Sequence, residues 1–400
     1  MQVLFLSRWF PFPADNGSKM RVLTILQQLS ERHDVALVSF GERQDMDNAG
    51  AARTLRELCS RVHVLPYREF RPSSPKALAG LLAPQPRFLL DTYRREMSDW
   101  IARELRRRAY DVIVASQLDM APYALEVPRI PALLEELELA TFNDGRRQPG
   151  RLAQRWRSSL TWLKLAAYLR RILPRFAACT VASEAELRNL REVAPAYSSV
   201  HILPNALDLA RYKGHYGPPQ QNTLVYAGAL TYSANYDAVA HFLHDVYPTV
   251  LRAVPDALLR VTGRTDGVDL RALPSPPGVQ YTGYVADVRP VVAHSWASVV
   301  PLRRGGGTRL KILEAMALGT PVVATPKGAE GLEVVDGENI LLAADPRLFA
   351  ARVIELLRSP ALRDRLVHKG RQLVRSKYDA RDVGERVRTL LEELGGARAA

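Results

Sequence analysis

Short apolar runs alternate with longer stretches of helical periodicity along most of the chain, and the whole alternation occurs twice. In the first half the runs are residues 3–6, 35–40, 62–65, 112–115, 132–134 and 180–182. In the second half they are residues 223–227, 259–262, 279–282, 298–301, 322–324 and 340–342. Parallel strands covered by helices on both faces produce this pattern, so we predict an α/β protein with two doubly wound units.

A segment rich in Gly, Pro and polar residues, Lys213–Asn222, is the best candidate for a linker. We place the domain boundary near residue 205, after the strand-like sequence VHILP. The first domain is then 1–204, the second is 205–378, and 379–400 holds a last helix that can pack on either unit, including back on the N-terminal domain. Two facing units would leave a central cleft at the carboxyl ends of their sheets, where open α/β folds bind ligands.

The chain is strongly basic, with 55 Lys and Arg against 42 Asp and Glu, a net charge of +13. Most of this charge is Arg, which binds phosphate through a bidentate fork. The excess fits nucleotide phosphates, nucleic acid or an anionic membrane, and an Arg-rich coding bias explains it equally well. Charge alone therefore does not choose a partner.

Other features concern the compartment. The two cysteines, Cys59 and Cys179, are far apart and have no metal-ligand cluster around them, which argues against disulfides and structural zinc. The first residues lack a basic n-region and predict a strand rather than a signal peptide. Because no run of about 18 apolar residues predicts a membrane span, we expect a cytoplasmic protein.

The strongest chemical signal lies in Val299–Leu332, which predicts a strand, a Gly-rich turn, a helix and a second strand. The glycines at 305–307 allow a ligand to approach the backbone, and the amides of a helix opening near Thr308 favour phosphate. Arg309 and Lys311 add positive charge where it is locally unfavourable without a bound anion. The segment therefore predicts an anion site.

Glu314 lies two turns into the same predicted helix, within the apolar sequence ILEAMA. A buried carboxylate requires a partner. Two interpretations are open at this point: hydrogen bonds from the vicinal hydroxyls of a ribose, or a structural ion pair with Arg309 or Lys311.

The sequence LKILEAMALGTPVVAT resembles the donor-nucleotide motif of retaining GT-B-fold glycosyltransferases of the family 4 kind, glycosyl transferases group 1 of the bacterial polysaccharide type. VHILPNALDLARY resembles the interdomain segment of that family, LVYAGALTYSANYDAV the first strand, loop and helix of its second domain, and VQYTGYVADVRPVVAHSWASVVPL its base-binding region. FLSRWFPFPADNGSKMRV resembles the loop after strand one. The resemblance implies a GT-B fold, with two Rossmann-like domains facing a central cleft.

The resemblance also implies a set of donor-binding residues. Glu314 would bind the ribose, the backbone around Tyr284 would meet the base, and Asn16 with Gly17 would lie against the phosphates from the opposite domain. The full donor-binding set is Glu314, Thr308, Leu310, Gly307, Tyr284, Val285, Gly228, Asn16 and Gly17.

The chain departs from the family pattern at the leaving group. Family members often carry an Arg after the glycine corresponding to Gly228 and a Lys shortly after it, whereas this chain has Ala229 and no Lys in that loop. We therefore predict that Arg309 and Lys311 are the catalytic pair and stabilise the departing diphosphate electrostatically.

Two further departures concern the sugar and the acceptor. Eight residues before Glu314 the family places a second Glu that contacts the transferred sugar, and this chain has Gly306. A His near the end of the fourth strand is also missing. Gln117 and Asp119 follow that strand and are the acceptor-side candidates.

The implied reaction is hexosyl transfer from a nucleoside diphosphate sugar to a hydroxyl with retention, in cell-surface or exopolysaccharide glycan synthesis. The sugar nucleotide is a substrate, and we expect no cofactor and no metal. Asp45 and Asp47 form a D-x-D in a polar loop and favour a solvated loop over a metal site. His241 and His244 have no third ligand near them in sequence.

Residues 146–175 contain nine basic residues and no acidic one. Apolar residues at helical spacing accompany them, namely Trp156, Leu160, Leu163 and Ala167, with Trp162 and Tyr168 beside them. This pattern is typical of a basic interfacial helix, which would hold the protein peripherally on the inner membrane face beside a lipid-linked or glycan acceptor. The alternative is that the apolar stripe packs on the first domain and the arginines are solvated.

Two other functions stay open. One is a non-enzymatic, Arg-rich scaffold that binds membrane or nucleic acid through 146–175. The other keeps the GT-B fold but is a nucleotide-sugar epimerase or a phosphorylase. No nucleic-acid module is recognisable, so we expect no nucleic-acid partner.

Overall fold

A computed structural model describes residues 1–14, 16–42, 49–147, 152–307 and 309–396, without the side chains of 49, 144–147 and 152–155. The chain divides into two compact units. The first is Met1–Asn205 together with Ala380–Ala400, and the second is Ala206–Asp379.

The first unit contains a sheet of seven parallel strands in the order β3-β2-β1-β4-β5-β6-β7. The strands are β1 (Gln2–Ser7), β2 (Asp34–Gly41), β3 (Arg61–Pro66), β4 (Val112–Ser116), β5 (Ala132–Glu135), β6 (Ala178–Val181) and β7 (Val200–Ile202). All six predicted runs form strands, and the strand-like sequence VHILP supplies the seventh. The order is that of a doubly wound sheet, since the chain starts in the middle and moves to one edge before it crosses to the other.

Helices cover both faces of this sheet. They are α1 (Gly17–Ser30), α2 (Ala49–Leu58), α3 (Pro75–Ala79), α4 (Arg87–Thr92), α5 (Arg95–Arg107), α6 (Ala121–Leu125), α7 (Ala140–Arg147), α8 (Leu152–Ile172) and α9 (Glu184–Val193). Alternate residues of each strand point to opposite faces. Val3 and Phe5 therefore pack under α1, whereas Leu4 and Leu6 belong to the core on the other side.

The C-terminal helix, Ala380–Gly396, packs on α1 and belongs to the first unit. Val387 and Leu391 are buried in the same core as Leu26 of α1. Arg388 fixes the contact, because its Nη1 donates to the carbonyl of Gln28 at 2.8 Å.

The second unit contains six parallel strands in the order β10-β9-β8-β11-β12-β13. They are β8 (Gln220–Ala227), β9 (Leu258–Thr262), β10 (Val279–Gly283), β11 (Ser295–Val300), β12 (Val322–Ala324) and β13 (Leu341–Leu342). The helices are α10 (Ser233–His241), α11 (Tyr247–Ala253), α12 (Arg289–Ala293), α13 (Leu310–Leu318), α14 (Pro346–Arg358) and α15 (Pro360–Lys377). A π-helical turn, Phe242–Val246, joins α10 to α11.

The predicted α/β class with two doubly wound units is therefore confirmed. Among the residues that the structure describes, no helix is long and apolar enough to cross a bilayer.

Candidate functional site

The carboxyl edge of the second sheet has glycines where its three neighbouring strands end. Gly228 follows β8, Gly263 follows β9, and Gly283 ends β10. The Gly228 amide donates to the Thr262 carbonyl at 2.8 Å and the Gly263 amide to the Gly283 carbonyl at 3.0 Å. A Cβ on Gly263 would lie 2.5 Å from the Gly228 carbonyl, and its φ of 135° also requires glycine. This edge therefore presents main chain, which a ligand can approach closely.

A glycine loop follows β11 beside this edge. Gly305 and Gly307 have φ angles of 100° and 81°. Arg309 is buried and spans the loop from inside, since its Nη1 donates to the Gly306 carbonyl at 2.7 Å and its Nη2 to the Gly305 carbonyl. The Arg309 guanidinium thus holds the shape of the loop. Arg309 was predicted to be catalytic, and these hydrogen bonds to the loop were not predicted.

Helix α13 begins directly after this loop. Its first residue, Leu310, is buried. The helix was predicted to open near Thr308, which lies outside the described residues. Because α13 starts at Leu310, its first backbone amides lie at the end of the glycine loop. A helix N-terminus in this position can bind an anion.

Lys311 points from the first turn of α13 to the end of β8. Its Nζ lies 3.2 Å from the hydroxyl of Tyr226 and 3.1 Å from Oδ1 of Asn235. The amine also lies 4.5 Å from the centre of the Tyr226 ring. A Cβ on Gly228 would come within 2.7 Å of Nζ, so the missing side chain of Gly228 is what leaves space for the amine.

The Lys311 amine changes between its charged and neutral forms near neutral pH. Burial lowers the pKa of Lys311 from its ordinary 10.5 to about 7, with Arg309 adding to the decrease and Glu314 opposing it. An anion bound beside Nζ would favour the protonated amine. The side chain can therefore change its charge when a ligand binds near neutral pH.

Glu314 lies on the same face of α13, one turn after Lys311. Its Oε1 accepts a hydrogen bond of 2.8 Å from the hydroxyl of Tyr212, at the end of the short helical turn Leu209–Tyr212. Burial raises the pKa of Glu314, whereas the Tyr212 bond and the charges of Lys311, Arg211 and Arg289 lower it.

The structure tests one of the two interpretations of Glu314, namely the structural ion pair. Glu314 makes no ion pair with Arg309 or Lys311 in the described part of the chain, and its only partner there is Tyr212. The structural ion pair, one of the two interpretations that the sequence left open, does not form among these residues. One carboxylate oxygen of Glu314 is held by Tyr212, and the other accepts no hydrogen bond from the described residues.

Two side chains mark the β9–β10 side of the edge. Tyr284 directly follows β10 and is 62% exposed, and the guanidinium of Arg264 lies 5.3 Å from its ring centre. Val285 is half-buried beside it. An exposed aromatic ring with a cation above it offers a flat stacking surface.

Sequence reasoning missed two exposed cations in the glycine loop. Arg303 pairs with Asp237 of α10 at 2.9 Å, and Arg304 lies 3.7 Å from the same carboxylate. Both arginines are about half exposed. The sequence RRGGG places two arginines next to the glycines. Only the fold shows that their partner, Asp237, comes from α10.

The first unit has a second polar cluster, at the carboxyl ends of β4 and β5. Gln117 and Glu136 have φ angles of 70° and 55°, and residues other than glycine rarely adopt such positive values. The amide of Gln117 donates to Oε2 of Glu136 at 3.0 Å. Burial raises the pKa of Glu136 to about 7, against the lowering effect of Arg21. Strained backbone of this kind concentrates at functional sites.

The other acceptor-side candidate, Asp119, lies near a cation. Its Oδ1 is 3.8 Å from Nε of Arg8, whose guanidinium is 4.1 Å from the ring centres of both Trp9 and Tyr67. Burial raises the pKa of Asp119, and Arg8 lowers it. The structure thus joins Gln117 to Glu136, and Asp119 to Arg8.

The predicted phosphate contacts of the first unit lie at the start of α1. Asn16 caps this helix, since its Oδ1 accepts from the Lys19 amide at 3.0 Å, and Gly17 is the first helical residue. The Asn16 side chain therefore has a local structural partner.

The two metal candidates have different outcomes. His241 and His244 both bind Asp245, with 2.7 Å between each Nδ1 and a carboxylate oxygen. Asp45 and Asp47 lie outside the described residues. Within the described ranges, no group of three His, Cys, Asp or Glu side chains is arranged to hold a metal ion.

Known proteins resemble this chain in sequence over the second unit and in fold over nearly its whole length. Residues 221–359 match the model of the family described as glycosyl transferases group 1. The chain is 32% identical over 158 residues to phosphatidyl-myo-inositol mannosyltransferase of Mycobacterium leprae, which covers 38% of this chain and 42% of that protein. It is 23% identical over 175 residues to an uncharacterized 44.6 kDa protein in the cps region of Klebsiella pneumoniae, covering 40% and 43%. The matches thus span less than half the length of these curated relatives.

Solved structures match over nearly the whole chain. Anabaena HepE in complex with UDP has a TM-score of 0.69 at 14% identity, over 98% of this chain and 100% of that chain. Sucrose-phosphate synthase from Thermosynechococcus elongatus has a TM-score of 0.69 at 16% identity, over 99% and 100%. The fold is therefore GT-B, as predicted. Residues 221–359 lie within the second unit, and the predicted resemblance to glycosyl transferases group 1 is confirmed there.

Proposed function

We propose that this protein is a glycosyltransferase that moves a hexose from a nucleoside diphosphate sugar to a hydroxyl acceptor with retention, in bacterial cell-surface or exopolysaccharide synthesis. The observation that carries the proposal is the Lys311 amine beside the side-chain-free end of β8. HepE, which shares the fold, was solved with UDP and with UDP-glucose, which supports a nucleotide-sugar donor. The reaction needs no cofactor in this proposal.

The departing diphosphate is stabilised by Lys311 and by the first amides of α13. A charged amine and free amides aimed at developing negative charge lower the barrier because they are already oriented. Arg309 contributes differently from the original prediction, by fixing the carbonyls of Gly305 and Gly306 and hence the shape of the loop. Arg303 and Arg304 add positive charge at its exposed side.

Glu314 binds the ribose with its unused oxygen, while Tyr212 holds the other oxygen in place. A carboxylate held at one oxygen can accept a hydrogen bond from a ribose hydroxyl at the other oxygen without a further loss of side-chain freedom. The base stacks near Tyr284 and Val285, beside the main chain of Gly283. Gly228 and Gly307 leave space for the phosphates, and the amide of Leu310 donates to them. The contact predicted for Thr308 lies outside the described residues.

On the acceptor side we propose a role for the cluster of Gln117 and Glu136. A carboxyl group with a pKa near 7 can accept a hydrogen bond from an acceptor hydroxyl in its charged form. Asp119 lies beside Arg8 and is a second acceptor contact. The phosphate contacts of Asn16 and Gly17, at the start of α1, stay a prediction.

The donor site is tested by thermal shift with a panel of nucleoside diphosphates and their sugars. At 100 times its dissociation constant a ligand adds about 2.7 kcal/mol of stability. Glu314→Gln should weaken the preferred donor by about 1.5–3 kcal/mol, since a charge-assisted hydrogen bond is lost. Glu355→Gln, at an exposed position of α14, is the control and should leave the shift unchanged.

Equal donor affinity in Glu314→Gln would contradict the ribose assignment. If no nucleotide shifts the melt while polyanions bind in low salt, the non-enzymatic scaffold replaces the transferase. Release of free sugar epimer without an acceptor would indicate the epimerase.

We also propose that α8 contacts an anionic membrane surface on the cytoplasmic side, near a lipid-linked or glycan acceptor. The predicted stripe lies on the outside of the first unit, with Trp156 76%, Leu160 53% and Leu163 64% exposed. Trp162 and Tyr168, on the other side of α8, are buried. The stripe is therefore not used by the core, which supports interfacial contact over packing on the domain.

A second exposed apolar element adjoins α8. Leu81 and Leu82 are 47% and 95% exposed, and Leu78 of α3 is 52% exposed. Lys164 of α8 joins the two elements, because its amine donates to the carbonyls of Gly80, Leu81 and Ala83. Of the basic residues in this segment, Arg146, Arg147, Arg151 and Arg155 have no described side chains.

Replacing Trp156 and Leu163 by glutamine should weaken binding to vesicles with anionic phospholipid by about tenfold or more, since each fully buried apolar side chain contributes about 1.5–3 kcal/mol. Cosedimentation with sucrose-loaded vesicles measures the change. Leu348→Gln, at an exposed position of α14, is the matched control. Unchanged vesicle binding by the double variant, or a monomer–dimer shift in its place, would show that the stripe does not face lipid.

A further inference from the structure

A lateral groove in the first unit lies between α4, α6 and the C-terminal end of α8. It encloses about 500 Å³, a volume typical of small-ligand sites. The residues that line it include Leu89 and Leu90 of α4, Leu125 of α6, and Ile172 of α8. Neither Gln117 nor Glu136 lines the groove, so it is distinct from the cluster that these two residues form.

The floor of the groove is apolar. Leu89 is 4% exposed and Ile172 is 3% exposed, and Leu90, Pro122 and Leu125 are half-buried around them. Water on such a floor is displaced favourably by a hydrocarbon chain. The floor therefore favours an apolar chain over a polar small molecule.

The walls carry two cations. Arg171 makes no hydrogen bond or ion pair within the described residues, and Arg175 donates only from Nη2, at 2.9 Å to the Leu125 carbonyl. Glu126 also lines the groove, but its carboxylate oxygens accept hydrogen bonds from Tyr93, at 2.6 Å, and from Ser98. The groove therefore has a net positive charge and unused guanidinium donors.

Tyr168 adds a neutral donor to the same wall. Its ring is buried, and its hydroxyl makes no hydrogen bond in the part of the chain that the structure describes. Burial raises the pKa of Tyr168 to about 12, against the lowering effect of Arg175 and Arg171. The hydroxyl therefore keeps its proton and can donate it to an anionic oxygen beside the two arginines.

We propose that this lateral groove binds one anionic amphiphile, a lipid whose hydrocarbon chain lies on the Leu89–Ile172 floor and whose phosphate or carboxylate head pairs with Arg171 and Arg175. The two arginines favour an anionic head, the apolar floor favours a hydrocarbon chain, and an anionic amphiphile has both. Gln85, which lines the groove, lies three residues after the exposed Leu82.

The experiment titrates the full chain with dodecyl phosphate below its aggregation concentration, by calorimetry. We expect saturable binding of one molecule per chain, with a negative heat-capacity change from apolar burial. Inorganic phosphate alone and dodecyl maltoside should bind at least about tenfold more weakly, because each supplies only half of the recognised chemistry. A phosphate-only ligand that binds as well as dodecyl phosphate would overturn the role of the floor.

Two variants complete the test. Arg171→Gln with Arg175→Gln should weaken dodecyl phosphate by about tenfold. Arg106→Gln with Arg107→Gln removes the same charge from exposed positions of α5 and should have no effect. Equal affinity of the two double variants, or uptake of many molecules per chain that is lost in Trp156→Gln, would overturn the groove. Because donor binding involves none of these residues, failure here leaves the proposed transferase untouched.

Discussion

Replacing Lys311 with methionine is expected to lower turnover with the preferred nucleoside diphosphate sugar by about 10²–10³-fold, the usual effect of removing one oriented group that stabilises developing charge. Nucleoside binding should change much less, because the proposed base and ribose contacts lie at other residues. Steady-state kinetics with saturating donor, beside nucleoside titrations, measure both quantities. Turnover that survives in Lys311→Met would contradict the placement of the diphosphate beside β8.

The same residue predicts a pH dependence. With a pKa of about 7, Lys311 is charged below that pH and neutral above it in the free protein. A bound diphosphate favours the charged form, so donor affinity should be level below pH 7 and fall by up to about tenfold per unit above it. A nucleoside diphosphate sugar has no ionisation of its own in this range, which makes it the correct probe. Lys311→Met should abolish the slope, and Glu136→Gln should keep it.

Stability gives a control on folding. The folded-state pKa of Lys311 lies below its ordinary 10.5, so its burial destabilises the fold fully below about pH 7, and this cost disappears as the pH rises towards 10.5. Lys311→Met should therefore be at least as stable as the wild type, with the largest advantage at low pH. If Lys311→Met fails to fold, Lys311→Arg replaces it in the test of the pH dependence, because arginine stays charged at all pH values used.

Replacing Arg21 with methionine is expected to destabilise the first unit by about 3–5 kcal/mol, because it leaves a buried carboxylate uncompensated. Arg21 is 5% exposed and Glu135 is fully buried. Nε of Arg21 donates to Oε1 of Glu135 at 2.6 Å, and Nη1 donates to Leu203 and Asn205 at 3.0 and 2.9 Å. Arg21 and its partners thus join α1, β5 and the segment that follows β7.

Calorimetric melting should show this as a decrease of about 6–20 °C for a unit of this size. The decrease should be smaller at low pH, where protonation removes the uncompensated charge. Arg21→Met with Glu135→Leu should recover most of the loss, since an apolar pair can replace a buried ion pair. Arg95→Met is the control, because Arg95 is 85% exposed and pairs with Asp99 only at 3.9 Å. A melting temperature unchanged in Arg21→Met would show that the pair carries no stability.

The central strands β1, β2 and β4 were predictable from the sequence because they are buried on both faces and form apolar runs. The edge strand β10 is only partly buried, and polar residues interrupt its run. All twelve predicted runs lie in strands or at their ends. The direction of the α8 stripe was not predictable, because a helical period shows that Trp156 and Leu163 share a face but not whether a neighbouring element covers it. That depends on α3 and α4, which lie about 70 residues earlier in the chain.

Some residues of the candidate site were predictable from the sequence, and others were not. Lys311 and Glu314 could be found, since a cation at a helix start and a carboxylate in an apolar helix are local anomalies. Tyr212 could not, because its contact with Glu314 joins residues 102 positions apart. The role of Arg309 was also hidden, since it depends on a loop with the left-handed backbone of Gly305.

The glycines that end β8, β9 and β10 have a consequence for how this protein can change over time. A surface made of main chain has no side chains to exchange, so point substitutions there cannot tune a preference gradually. At Gly263 any larger residue meets the Gly228 carbonyl. New donor preferences would therefore have to arise at the rim, through residues such as Tyr284 and Arg264, while the centre of the site stays invariant.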